Sequence, residues 1–126
     1  MYKPDSSFNV LYTSDVVSTY EFYKAIGATI TQFENDKVVL SLGNFGMHFV
    51  LETKEPFEDY KYIAENHDRG MGIIFYIEVD DIEAYYQLIE NSGGKIKARI
   101  FSNMWEAKEL LFEDPNGYKI ALYQMN

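Results

Sequence analysis

Polarity along the first half of the chain changes period several times. Residues 9–13 read as a strand, and residues 16–26 as a helix with Val16, Tyr20 and Tyr23 on one face. Ser14 or Asp15 offers an oxygen to cap that helix, and Gly27 supplies the left-handed geometry of its exit. Strands follow at residues 29–33, 38–42 and 47–52, separated by an Asn35-Asp36 turn and a hairpin loop at residues 43–46. The order is β-α-β-β-β. The second half has the same order: a strand at 75–79, a helix at 82–91 capped by Asp80 or Asp81 and stopped by Ser92-Gly93-Gly94, then strands at 95–101, 107–112 and 118–124. Asp114-Pro115-Asn116-Gly117 is a tight turn by its chemistry.

The halves are copies. Residues 8–30 align without a gap onto residues 74–96, which sets Asp15 on Asp81, Tyr20 on Tyr86, Gly27 on Gly93 and Ile30 on Ile96. One such module is too small to hide its own apolar face, so the two are expected to pack together as a single domain over residues 1–126. Module one takes about residues 8–52, a linker about 53–72 and module two about 73–124. Pro56 is expected to start a short helix over residues 56–66 within the linker.

Strand alternation divides the side chains between two faces. Leu11, Met47, Phe49, Leu51, Phe75, Ile77, Val79, Ile120 and Leu122 share the face expected to meet the helices. The opposite face carries Phe8, Val10, Tyr12, His48, Val50, Glu52, Ile74, Tyr76, Glu78, Lys119, Ala121 and Tyr123. It is an apolar floor with a few polar tips, the usual makeup of a small-molecule pocket. His48 is the one histidine on that face, a side-chain type suited to general acid–base work. Glu52 and Lys119, near strand ends, read as solvated charges, and His67 as an exposed loop histidine.

Composition narrows the functions. A formal net charge of −9 with no cluster of Lys and Arg argues against nucleic acid and anionic membranes. The absence of cysteine excludes a disulfide framework and thiolate chemistry. No apolar run is long enough to span a bilayer, and the first eight residues, MYKPDSSF, lack a signal peptide's apolar stretch, so a cytoplasmic protein is expected. Gly70-Met71-Gly72 is too short for a nucleotide loop, and no Ser-His-Asp set is recognisable.

Three stretches, LYTSDVVSTYEFYKAIGA, its echo YIEVDDIEAYYQLIENSGG, and WEAKELLFEDPNGYKIALYQ, resemble the vicinal oxygen chelate superfamily of glyoxalases, bleomycin resistance proteins and extradiol dioxygenases. The last is similar to that superfamily's Trp-Gly-x-Arg pattern followed by an Asp-Pro-x-Gly turn. The resemblance implies an α+β fold in which two βαβββ modules form a curved eight-stranded mixed sheet, a half-open barrel whose cup binds the ligand. Trp105 would then lie on a loop over the cup mouth. It also implies where a divalent metal would be held, and those positions fall on Phe8, Val50, Ile74 and Ala121. None offers a lone pair to a hard cation, so no metal and no other cofactor is expected.

The resulting expectation is a homodimeric protein that binds a small molecule, cationic or aromatic, without a metal. The ligand-binding candidates are Phe8, Tyr12, His48, Val50, Ile74, Tyr76, Trp105, Ala121 and Tyr123. A metal-independent isomerase, lyase or epimerase is the alternative, with His48 or Glu78 as general base and a tyrosine stabilising an enolate. Metal-dependent glyoxalase or dioxygenase chemistry ranks behind both, for want of ligands. A scaffold whose cup is plugged by its own tyrosines is the third possibility.

Overall fold

The computed structural model describes residues 2–126. Its elements are β1 (Asn9–Thr13), α1 (Val16–Ala25), β2 (Thr29–Phe33), β3 (Lys37–Leu42), β4 (Phe45–Leu51), a 3₁₀ turn (Glu52–Lys54), α2 (Glu58–Glu65), β5 (Phe75–Glu78), α3 (Ile82–Asn91), β6 (Lys95–Ser102), β7 (Lys108–Glu113) and β8 (Lys119–Gln124). Each half is a βαβββ module. The sheet orders, β1-β4-β3-β2 and β5-β8-β7-β6, are the same permutation. The repeat extends to its irregularities: β2 slips register between Ile30 and Gln32, and β6 at the matching place between Ile96 and Ala98.

Both long helices start as their sequences dictate. Asp15 and Asp81 sit in non-helical conformations, and each carboxylate accepts from the N–H three residues on, Ser18 at 3.1 Å and Ala84 at 3.2 Å. The cap of α3 is therefore Asp81 and not Asp80. The linker helix begins at Glu58, two residues beyond Pro56, with Phe57 as its N-cap. The β3–β4 turn is shorter than expected, since only Gly43 and Asn44 separate the strands.

The eight strands form two mixed sheets of four, one per module, not closed into a barrel, and no ladder joins them among the described residues. The reason is how the modules pack. Side chains from the helix-covered faces of both sheets, Leu11, Leu40 and Phe49 with Leu110, Phe112 and Ile120, merge into one core that also takes in α1 and α3. Phe22 of α1 lies 6.1 Å from Phe112 of β7, and Phe49 of β4 6.0 Å from Tyr118. The modules thus join through helices and turns, and the opposite sheet faces carry exposed Phe8, Val10, Ile74 and Tyr76.

Gly94 is where this packing is tightest. A Cβ there would come within 2.6 Å of Ile89 and 2.9 Å of Phe22. Gly93, at φ +91°, lets the chain leave α3, while Gly94 lets it pass beneath the Phe22 ring. Gly94→Ala is expected to destabilise the fold by about 1–3 kcal/mol through overpacking, measured by urea denaturation.

Candidate functional site

On module two, β5, β8 and β7 run side by side in the order Tyr76–Ala121–Leu111, with Glu78 and Glu109 both flanking Tyr123 one register step away. Leu110 and Phe112 point into the core, so Glu109 faces the other way, with Tyr76 and Tyr123. Glu109 is buried, 6% exposed. One oxygen accepts from Asn103 Nδ2 at 2.8 Å and the other from the Tyr76 hydroxyl at 3.3 Å. Burial first, then the Glu109 charge and hydrogen bond, push the Tyr76 hydroxyl above its ordinary pKa.

Asn103 also builds the loop that carries Trp105. Its Oδ1 accepts from the N–H of Trp105 at 2.9 Å and of Ala107 at 3.0 Å. Between them Glu106 adopts φ +62°, the one positive φ of a non-glycine among the described residues, at the place where the resembling pattern has glycine. Trp105 meets Tyr76 edge-on, with ring centroids 6.3 Å apart at 83°, and Tyr76 lies 6.2 Å from Tyr123. Tyr76, Asn103, Trp105, Ala107, Tyr123 and Met125 line a hollow of about 440 Å³. It is an apolar recess with ring faces and edges on its walls and the Glu109 carboxylate behind Tyr76.

Three of the sequence candidates, Tyr76, Trp105 and Tyr123, come together here. Ala121 is fully buried in the sheet next to Tyr76 and presents no surface. Phe8 and His48 stack on one another on module one, with centroids 4.3 Å apart at 18°, and half-buried Val50 sits on the same strand as His48. Tyr12 is buried, and its hydroxyl donates to Glu55 of the linker at 2.8 Å; burial and then the Glu55 carboxylate push its pKa up to about 12. That phenol is already engaged. Ile74 lines a different hollow, where the linker from His67 to Ile73 meets Glu113 and Lys119.

His48 and Glu78 are not brought together: they lie on separate sheets and share no contact among the described residues. Glu52 is not a solvated charge. It belongs to the 3₁₀ turn, binds the buried Arg69 guanidinium and lies 3.3 Å from His67 Nε2, while Arg69 also donates to the Ala64 carbonyl at 3.0 Å. Lys119 lies 3.7 Å from a Glu113 oxygen. Sequence reasoning missed Asn103 and Glu109. The Glu-Leu-Leu run blurs the alternation of β7, and only the position of Leu110 and Phe112 in the core reveals where Glu109 points.

The positions at which the resemblance places metal ligands carry the hydrocarbon side chains of Phe8, Val50, Ile74 and Ala121, a donor set that does not fit a divalent ion. Among the described residues no three His, Cys, Asp or Glu side chains gather as a metal site. No helix among them is long and apolar enough to cross a membrane.

A model of the Glyoxalase/Bleomycin resistance protein/Dioxygenase superfamily matches residues 7–122. The chain belongs to that superfamily. No protein with a curated description matches it in sequence. Among solved structures of similar fold, a hypothetical protein from S. aureus shares 16% identity at a TM-score of 0.83, over 98% of this chain and 95% of its own. A glyoxalase/bleomycin resistance protein/dioxygenase family enzyme from Burkholderia phytofirmans shares 13% at 0.82, over 95% and 98%. A bleomycin-binding protein complexed with bleomycin shares 18% at 0.61, over 98% of this superfamily member and all of that chain.

Proposed function

We propose that this superfamily member binds a small aromatic cation in the hollow beneath Trp105 and leaves it chemically unchanged. The observation that carries this reading is the open aromatic recess of Trp105, Tyr76 and Tyr123 backed by the buried Glu109 carboxylate. Ring faces attract a flat cation through stacking and the quadrupole. The chain's net charge of −9 steers a cation toward it. With hydrocarbon side chains at the metal positions, recognition rests on shape, ring surfaces and the Glu109 carboxylate, without a metal. A structural relative is a bleomycin-binding protein complexed with bleomycin, a precedent for guest capture on this fold.

The reading includes a homodimer. The outward faces of both modules expose large apolar side chains, Phe8 and Val10 on one and Ile74 and Tyr76 on the other. A second copy laid against them would set the Phe8–His48–Val50 face opposite the Trp105 hollow and close the site. Trp105 is the chain's one tryptophan, so its fluorescence reports directly on the hollow. Titration with metal-free bleomycin and with planar aromatic cations is expected to quench that emission saturably and release the guest intact. A guest recovered altered after incubation would favour the enzymatic alternative.

A further inference from the structure

The internal repeat predicts two equivalent junctions between the modules, and they differ. At the first, the β7–β8 turn reaches from module two across β1 and α1. The Tyr118 hydroxyl accepts the Tyr12 N–H at 2.8 Å, and the Asn116 side chain bonds Thr13 at 2.6 Å and Thr19 at 3.1 Å. The protein fills that junction with its own phenol and amide. At the second, the partners are the repeat-related Glu78, Val79 and Tyr85, which align with Tyr12, Thr13 and Thr19. The turn facing them is Gly43-Asn44, two residues where the other module spends the five of residues 114–118. The shorter turn leaves a cavity of about 650 Å³ between the modules.

That cavity has an apolar floor of half-buried Ile77 and Val79 with exposed Met125, set over the buried Ile26, Leu42 and Leu122, and a polar wall of Glu78, Asp80 and Tyr85. Its lining contains carboxylates and no basic side chain. Asp80 is free of capping duty, which Asp81 performs, and neither Asp80 nor Glu78 has a side-chain hydrogen bond or ion pair among the described residues. The backbone adds a donor. Val79 N–H bonds across to Tyr123 O at 2.9 Å, and N–H groups alternate sides along a strand, so the Glu78 N–H points off the free edge of β5. In the other module the corresponding N–H, that of Tyr12, receives a phenol oxygen.

We propose that this inter-module cavity binds a small phenolic amine. The phenol takes the place that Tyr118 fills in the other junction, accepting from the Glu78 N–H, its ring lies on the apolar floor, and its ammonium meets Asp80. The site is separate from the Trp105 hollow and does not depend on what that hollow binds.

Tyramine, phenethylamine (no phenol) and tyrosol (no amine) test it by calorimetry and by amide chemical shifts on the full chain. Tyramine is expected to bind saturably and shift Gly27, Gly43 and Asp80, with each comparator about fivefold weaker or more. Asp80→Asn is expected to weaken tyramine by about fivefold and leave tyrosol unchanged. Tyramine is itself an aromatic cation and can also enter the Trp105 hollow, so the cavity is read by its own amides: in Trp105→Ala the saturable shifts of Gly27, Gly43 and Asp80 are expected to persist. No saturable shift up to about 10 mM would overturn the proposal. So would equal affinity at those amides in Asp80→Asn, or loss of the Gly27, Gly43 and Asp80 shifts in Trp105→Ala, which would place the amine in the aromatic hollow alone.

Discussion

Asp114→Ala is expected to destabilise the protein by about 3–5 kcal/mol, because it strips the buried acceptor that clasps the two modules together. Asp114 is 4% exposed. Its Oδ2 accepts from the Tyr23 hydroxyl at 2.6 Å, and its Oδ1 from the N–H groups of Asn116 and Tyr118, each at 2.9 Å. Tyr23 is completely buried beneath the core side of β4, where its ring lies 5.3 Å from Phe49. Alanine would leave a hydroxyl and two backbone donors dry and unpaired. Tyr23→Phe removes a single donor and is expected to cost about 1–3 kcal/mol, measured by the same denaturant titration.

This clasp also sets a pH dependence. Burial, then the adjacent Asp114 charge and hydrogen bond, hold the Tyr23 phenol well above its ordinary pKa of 10.0. Below that value both folded and unfolded chains keep the proton. Above it only the unfolded chain loses it, so Tyr23 contributes stability that is lost as pH climbs beyond the ordinary value. Tyr23→Phe is expected to flatten that alkaline slope. Asp114 is also raised, from 3.8, since burial outweighs the hydrogen bonds that favour its ionised form. Its contribution is full in acid and declines as pH rises through the raised folded value, so the stability gap between wild type and Asp114→Asn narrows in that window.

Trp105→Ala and Tyr76→Ala are expected to weaken capture of an aromatic cation by about ten- to a hundredfold, with little change in stability for the first. Trp105 is 63% exposed, so the fold does not rely on it, whereas it forms a wall of the hollow. Glu109→Gln separates charge from shape. It keeps an acceptor for Tyr76 and removes the anion behind it, so it is expected to weaken cations by about tenfold and spare neutral planar guests. Calorimetric titration of the three variants against one cationic and one neutral ring compound checks the pattern.

The architecture was legible because it is local and repeated. Asp15 and Asp81 cap, Gly27 and Gly93 turn, and Ile30 matches Ile96 down to the register slip that follows each. Parity correctly grouped the core face, with Leu11, Met47, Phe49, Ile120 and Leu122 all in the shared core. The failures concern what lies across from a face. Parity placed Tyr12 and Glu52 toward a cup, but not that the linker would reach them, with Glu55 accepting from one and Arg69 binding the other. Nor does alternation say that two modules will meet through helices and leave their outer faces apart. Glu109 was hidden by adjacent leucines, and Asn103 by being a loop residue whose three side-chain hydrogen bonds depend on the loop's shape.

The central claim is that hydrocarbon side chains stand where a cation would be gripped, leaving ring surfaces to do the recognising. Its most direct test is the Trp105 fluorescence titration repeated on protein stripped with a chelator and dialysed free of it, using metal-free bleomycin. Stripped and untreated protein are expected to bind with the same affinity. Binding present in the untreated protein and lost after stripping would contradict the account.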